Sequence, residues 1–366
     1  MKKVLHVTFD MRIGGTEQVI KNLIEGSDLK RFAPSILCLE SPIGPIGELL
    51  VRKGYRIDII SRKEGFDLGL IFKVRRFIKD NNIDIVHCHQ YTPWVYSALA
   101  AFMTGKKVIF TEHGRFYPDR TSWKRAIINP ILNLITDRVT VISTATKQAL
   151  INYEYIPPSK IQVIYNGIVP LIPDKSRNAE IRNTYVISDH TRIVGTIARL
   201  DPIKNHAMML RAFRIVAESY PNTKLMIIGD GEEMENLKQA CHELGIVNHV
   251  IFTGYITEPV YYLDLMDIFM LSSFSEGTSM TLLEAMSLSK PCVVTDAGGN
   301  SEIVEHEVNG LVTPNNDASA FADAIIELLK DKKKYQKMCY ASLDRFNRKF
   351  NLKYMLNAFQ YIYDDL

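Results

Sequence analysis

Ser272–Glu305 reads SSFSEGTSMTLLEAMSLSKPCVVTDAGGNSEIVE, and the fold is decided there. The apolar run Ile268–Leu271 leads in as a short buried strand, and a polar loop follows through Glu276, Gly277 and Thr278. Met280, Leu282, Leu283 and Met286 then recur at helical spacing, and Cys292–Val294 is the next strand, followed by Ala297-Gly298-Gly299. This is a strand–loop–helix–strand unit of a parallel sheet. In such sheets ligands sit beyond the carboxyl ends of the strands, where the next helix presents unbonded N–H groups. Amides near Thr278, Ser279 and Thr281 could receive a phosphate, with the carboxylates of Glu276 and Glu284 on either side. Each carboxylate can accept from two sugar or ribose hydroxyls. The same residues also read as a capping box, Thr281-x-x-Glu284, with Glu276 favouring the helix dipole.

Outward from this unit, strand and helix alternate along the chain. Strands are predicted at Val4–Phe9, Ser35–Leu39, Arg56–Ile60, Asp84–His89, Lys107–His113, Arg138–Ser143 and Ile161–Tyr165. They restart at Ile193–Leu200 and continue at Lys224–Gly229, Val250–Thr253, Ile268–Leu271, Pro291–Thr295 and Gly310–Val312. Helical patterns lie between, for example Glu17–Ile24, Ile71–Lys79 and Pro93–Phe102. The class is α/β, with two Rossmann-like parallel sheets covered on both faces. The predicted division is a first domain over 1–168, a Pro-, Lys- and Asp-bearing linker over 169–190, a second domain over 191–345 and a terminal helix over 346–366.

With 366 residues, 46% hydrophobic and 23% charged, the chain has a globular composition and can hold two domains. No run is long enough to span a bilayer, and Val4–Phe9 is too short for a signal-peptide core. Five scattered cysteines without metal-ligand spacing fit a reducing cytoplasm. The net charge of +3 is unevenly spread: Met1–Pro170 carries 24 Lys and Arg against 15 Asp and Glu, the remainder 20 against 26. A basic first half calls for an anionic surface or an anionic acceptor, and no nucleic-acid motif accompanies it.

Several motifs close strands. Ile13-Gly14-Gly15-Thr16-Glu17 opens a helix without the third glycine of the dinucleotide fingerprint; it is a ligand-approaching turn or a plain tight one. His87 and His89 share one side of a strand, but no third metal ligand is evident nearby, so packing or supporting roles are favoured and no metal is expected. His113, followed by Gly114 at a strand's carboxyl end, either points into a crevice or is a satisfied structural histidine. Arg199-Leu200-Asp201-Pro202-Ile203-Lys204 places a planar fork and a point charge where both can meet one anion. Gly229-Asp230-Gly231 and Gly254-Tyr255-Ile256 are further turns at strand ends. Between Arg115 and Thr136, Arg115, Arg120, Lys124 and Arg125 mix with Phe116, Tyr117 and Trp123, ahead of apolar Ile127, Ile128, Ile131, Leu132, Leu134 and Ile135. That segment can rest on an anionic membrane, or its later half can pack on the sheet.

Glu276-Gly277 and Glu284-Ala285-Met286, with seven residues between the two glutamates, joined to the downstream GGNSEIV and NGLV, resemble the signature of retaining family 4 glycosyltransferases. The resemblance covers nearly the whole chain. It implies the GT-B fold, two Rossmann-like domains facing each other across a cleft, with the acceptor mainly on the first and the donor mainly on the second. It implies a nucleotide-diphosphate sugar as co-substrate, no cofactor held by the protein, and a terminal helix that returns to the first domain. Residue by residue, it assigns the diphosphate to Arg199 and Lys204, the donor sugar to Glu276 and the ribose to Glu284. His113 approaches the sugar and acceptor. Gly15 lies near the phosphates, Gly229 lines the site, and Tyr255 and Ile256 hold the base partly through backbone groups, with Gly277, Thr278 and Ser279 around the phosphates. The implied mechanism is a same-face displacement with the leaving phosphate as base. The acceptor is a saccharide or a lipid-linked saccharide of bacterial cell-surface or exopolysaccharide synthesis, and the enzyme is cytoplasmic or peripheral at the inner face of the plasma membrane. A two-lobed binding protein would share the alternation and hinge but lack the Arg–Lys pair. A nicotinamide dehydrogenase would need the three-glycine turn.

Overall fold

The computed structural model describes residues 1–114 and 122–366, which form two compact units. The first comprises Met1–Gly167 together with Leu352–Leu366, the second Ile168–Asn351.

The first unit holds β1 (Lys2–Thr8), β2 (Phe32–Cys38), β3 (Ile57–Ile59), β4 (Ile85–His89), β5 (Lys107–Glu112), β6 (Arg138–Val141) and β7 (Ile161–Val163), in the order β3-β2-β1-β4-β5-β6-β7. All recorded pairings in it are parallel. One face carries Leu5, Val7, Val86, Cys88, Val108, Phe110, Val139 and Val141, all buried under helices that include Tyr91–Ala101. Trp94 of that helix stacks on Phe110 with ring centroids 4.3 Å apart and donates to Thr136 Oγ1 at 2.9 Å. Each such apolar side chain removed from water contributes roughly 1.5–3 kcal/mol.

The second unit holds β8 (Arg192–Ile197), β9 (Thr223–Ile228), β10 (Val250–Gly254), β11 (Ile268–Leu271), β12 (Cys292–Thr295) and β13 (Gly310–Thr313), ordered β10-β9-β8-β11-β12-β13 and again parallel. Val194, Leu225, Ile227, Met270 and Val293 pack there against Phe213 and Phe321. In each sheet the order reverses between the first and fourth strands, and beyond the strand ends at that reversal lies the crevice where doubly wound sheets hold ligands.

The boundaries depart from the sequence reading at two places. Residues 169–190 are not a bare linker. They include the helix Asn178–Thr184, anchored within the second unit by Arg177 over the Tyr261 ring and by Tyr185 against Tyr262. The second unit also runs on through Asn351, with Phe346–Phe350 as a single π-helical turn whose Phe346 and Phe350 are buried. Only the helix Leu352–Asp365 joins the first unit, burying Met355, Phe359 and Tyr363 there.

Candidate active site

In the second unit the site is built at the ends of β8 and β11. Asp201 caps the turn after β8, accepting from Lys204 N at 3.2 Å, and Pro202 supplies the fixed φ of its first position. Asn205 closes the turn in the left-handed region at φ 50°. Ser272 Oγ, just past β11, donates to the carbonyls of Lys204 at 2.8 Å and Asn205 at 3.1 Å, and Phe274 N donates to Ile203 O at 2.8 Å. The two loops are thereby stitched together, and Lys204 Nζ meets Glu276 Oε1 at 2.7 Å across 72 residues of sequence. Ser273 Oγ donates to the same oxygen at 2.6 Å. The Lys204 and Glu276 side chains are 21% and 9% exposed, so the pair is largely withdrawn from water.

The glycine pair of the GGN motif fixes the other side of Glu276. Gly299 N donates to Glu276 O at 2.9 Å. Gly298 has φ +56°, and a Cβ there would stand 2.0 Å from the same carbonyl. Only glycine allows both the conformation and the approach. Thr295 Oγ1 donates to Ser273 O at 2.7 Å, so β12 holds the loop from below.

Ser279 caps the helix Met280–Ser287, accepting from Leu282 N at 3.4 Å. The cap is therefore Ser279, and Thr281 and Glu284 do not form a capping box. Glu284 is half-buried one turn inside, and its carboxylate has no hydrogen-bond partner among the described residues. Burial pushes its pKa up to about 7.

Arg199 and Lys204 hold separate carboxylates, Asp201 and Glu276. Arg199 Nε binds Asp201 Oδ2 at 2.7 Å with its side chain 76% exposed, beside a 540 Å³ pocket lined by Arg199, Leu200, Asp201 and Gly231 among others. Gly229 N donates to Gly254 O at 3.0 Å, joining the two turns at the ends of β9 and β10. Tyr255 is exposed, Ile256 half-buried, Gly277 and Ser279 half-buried and Thr278 buried. Asp201 and Ser273 were missed from sequence. The signals were there: an Asp-Pro turn start, and a serine three residues ahead of Glu276.

In the first unit, the strand face opposite the apolar core carries a histidine layer. His6 Nδ1 lies 3.0 Å from His89 Nε2, and His89 Nδ1 lies 2.8 Å from His113 Nε2. His87 spends Nδ1 on Tyr363 Oη at 2.8 Å and Nε2 on Thr111 Oγ1 at 2.6 Å. The third imidazole that the sequence did not reveal is His6, which pairs directly with His87 across β1 and β4. Burial holds all four histidines far below the usual imidazole range, His6 and His113 at about 3, so they are neutral. His113 follows the end of β5, and Gly15 is exposed at the start of the helix Gly15–Glu25.

The helix Trp123–Leu134 turns Arg125, Asn129 and Asn133 inward. Asn129 Nδ2 donates to Glu154 Oε2 at 2.7 Å and Asn129 Oδ1 accepts from Tyr91 Oη at 2.7 Å, while Arg125 pairs with the buried Glu154 carboxylate at 2.7 Å. Trp123, Ile127, Ile128, Ile131 and Leu134 are exposed, by 44% to 80%. Of the apolar residues in this pattern, Leu132 and Ile135 pack on the core of the sheet and the other four do not. Arg115, Phe116, Tyr117 and Arg120 lie outside the described residues. Among the described residues no helix is long and apolar enough to cross a membrane.

Two Rossmann-like sheets, one closing on a Lys–Glu pair and a helix start, define the GT-B class of glycosyltransferase. The chain belongs to glycosyltransferase family 4: residues 13–170 match the model Glycosyltransferase Family 4, and 177–345 match Glycosyl transferases group 1. It is 29% identical to N-acetyl-alpha-D-glucosaminyl L-malate synthase of Bacillus anthracis, covering 82% of this chain and 80% of the relative. It is 25% identical to the UDP-Gal:alpha-D-GlcNAc-diphosphoundecaprenol alpha-1,3-galactosyltransferase of Escherichia coli, covering 90% and 88%. The solved structure of Anabaena Alr3699/HepE in complex with UDP shares the fold at TM-score 0.88 and 21% identity over the full length of both chains.

Proposed function

We propose that this glycosyltransferase is a retaining enzyme that moves a sugar from a nucleotide-diphosphate donor to a saccharide or lipid-linked acceptor of bacterial cell-surface or exopolysaccharide synthesis. The observation that carries the reading is the 2.7 Å contact between Lys204 and Glu276 at the sheet's reversal point. A lysine there neutralises charge on the leaving diphosphate, which grows in the transition state, and the carboxylate it holds accepts from the donor sugar's hydroxyls. Arg199 adds a second cation, the N–H groups near Thr278, Ser279 and Thr281 a third contribution, and Glu284 takes the ribose. Gly15, Gly229, Gly277, Tyr255 and Ile256 line the donor, and His113 faces the reacting sugar. The acceptor hydroxyl attacks the anomeric carbon from the face the diphosphate leaves. The carbon–oxygen bond to phosphate breaks with its electron pair on the diphosphate, and the acceptor's proton passes to that oxygen. The UDP-glucose complex of the fold neighbour Anabaena Alr3699/HepE and the lipid-linked acceptor named for the Escherichia coli relative support this choice of substrates.

The outward apolar face of Trp123–Leu134, with exposed Lys124 beside Trp123, suits an anionic membrane surface where a lipid-linked acceptor is met. Each basic residue near such a surface contributes about 1 kcal/mol. A thermal-shift screen of UDP- and GDP-sugars, followed by transfer assays and determination of the product's anomeric configuration, tests the reaction. An inverted product or no stabilising donor overturns it. Sedimentation with anionic and neutral vesicles at two salt concentrations tests the membrane part, which fails if binding is equally negligible to both.

A further inference from the structure

The histidine layer has a direction. A neutral imidazole carries one N–H and one lone pair, and which nitrogen has which is set by what the other nitrogen binds. In the column His6–His89–His113 each contact joins the Nδ1 of one ring to the Nε2 of the next, at 3.0 and 2.8 Å. Each contact needs one donor and one acceptor, so the three rings must share a tautomer: all Nδ1–H or all Nε2–H. Changing one without the others sets two N–H groups or two lone pairs face to face.

The ends of the column distinguish these settings. His113 Nδ1 is sealed from water and has no partner among the described residues, whereas His6 Nε2 is not among such sealed atoms. A buried N–H without an acceptor is rarer than a buried acceptor without a donor. The all-Nε2–H setting leaves a lone pair, not an unmet N–H, at the sealed His113 Nδ1 and puts the terminal N–H on His6 Nε2, outside that sealed set.

His6, His87 and His89 also have the spacing of a metal trio, with one nitrogen each inside 4.8 Å. His87, however, commits both nitrogens to Tyr363 and Thr111, and the other two rings bind each other. The hydrogen-bonded column uses these nitrogens without breaking any contact.

We infer that His89 and His6 are positioning residues that hold His113 in the Nε2–H tautomer, so that its Nδ1 accepts a hydrogen bond from a hydroxyl of the bound sugar. This rests on the reading above that His113 faces the reacting sugar. Neither His89 nor His6 touches the substrate; His89 acts through one hydrogen bond and His6 through two. A sugar lacking the matching hydroxyl leaves the sealed lone pair unpaired, so the column also selects for that hydroxyl.

The experiment reads tautomers and kinetics together. In 15N-histidine-labelled, ligand-free protein at pH 7, His6, His89 and His113 are expected to show one shared pattern, neutral and protonated on Nε2. Mixed tautomers, or Nδ1–H on His113, overturn the inference even if no variant folds. With the sugar nucleotide selected by the donor screen, His89→Leu is expected to lower kcat about 10-fold or more with little change in donor KM. His89→Gln, whose amide can accept from His113 and donate to His6, is expected to recover part of that loss. His6→Leu should shift the His113 tautomer without contacting it. Unchanged His113 signals and unchanged kcat in His6→Leu and His89→Leu overturn the inference. Full turnover in His113→Ala sinks the underlying reading as well, whereas a slow His113→Ala beside a fully active His89→Leu sinks the inference alone.

Discussion

The two sheets share a strand order and a reversal point, yet their carboxyl edges are chemically opposite. The first edge is a buried, uncharged layer of His6, His87, His89 and His113 backed by Thr111 and Tyr363. The second is built of ion pairs, Lys204 with Glu276 and Arg199 with Asp201, and a helix start. Common backbone geometry thus supports two kinds of recognition. In the proposed reaction the neutral donors and acceptors would read hydroxyls and the charges would answer a diphosphate, a difference carried by side chains at and near the strand ends.

The largest test of this contrast is acid. The first edge's histidines have folded pKa values below their unfolded value of 6.5, so the unfolded chain binds more protons as pH falls below that point. Each then removes roughly 1.4 kcal/mol of stability per pH unit until its folded pKa is reached, and four together remove up to about 5 kcal/mol per unit. In the second unit His206, held at about 4, acts in the same sense, while Glu284 acts in the opposite one. Glu284's folded pKa of about 7 lies above its unfolded value of 4.5, so its contribution is present below 4.5 and lost as pH rises through 7. Hydrogen exchange between pH 7 and 5 should therefore show the first unit opening before the second. Equal loss of protection in both would break the comparison.

Next comes the charge pair. Lys204→Ala is expected to lower kcat about 10²–10³-fold with the fold retained, and Arg199→Ala, more exposed, about 10-fold. Near-normal turnover in both would leave the second edge without a diphosphate role. Smaller still is Gly298→Ala, whose new Cβ meets Glu276 O at 2.0 Å. A loss of about 1–3 kcal/mol is expected, seen as a lower melting temperature together with slower turnover. Gly54, with φ +88° and nothing within 4 Å, supplies the control, since its substitution adds strain but no collision. If both variants melt alike, close approach to Glu276 is not what the glycine provides.

The finest test divides the two glutamates. Glu284→Gln should weaken nucleoside-diphosphate binding about 10-fold, or about 1.4 kcal/mol, and erase the rise in affinity expected as pH climbs through 7 and the carboxylate forms. Glu276→Gln should spare that binding and slow turnover. Titrating UDP and GDP against both variants at pH 6 and 8 checks this; equal losses would end the division of roles.

Much of the fold could be read in the chain because a buried parallel strand is a short apolar run and a covering helix has its own period. Ile268–Leu271, Met280–Met286 and Cys292–Val294 all took the element expected of them. The site was legible where a motif concentrates chemistry in a few residues, as around Glu276 and Lys204. It was not legible where chemistry comes from registry. His6 stands among apolar residues of β1, and only pairing with β4 brings it to His87 and His89. The sequence of the helix Trp123–Leu134 leaves two readings open for a related reason: its periodicity is genuine, but a buried Glu154 draws Arg125 and Asn129 inward and turns much of the apolar stripe out. Periodicity says that a helix has two faces and leaves open which one looks at the core.

The split membership of the first unit has a consequence for biosynthesis. Leu352–Leu366 belongs with Met1–Gly167, but the ribosome makes it only after the whole of Ile168–Asn351. The second unit, continuous in sequence, can complete itself first. Until then the nascent first sheet lacks the helix bearing Phe359 and Tyr363, and His87 lacks the phenol that its Nδ1 meets at 2.8 Å. The first unit is thus completed only after the second has been made, and until then its histidine layer lacks the cover of Phe359 and Tyr363.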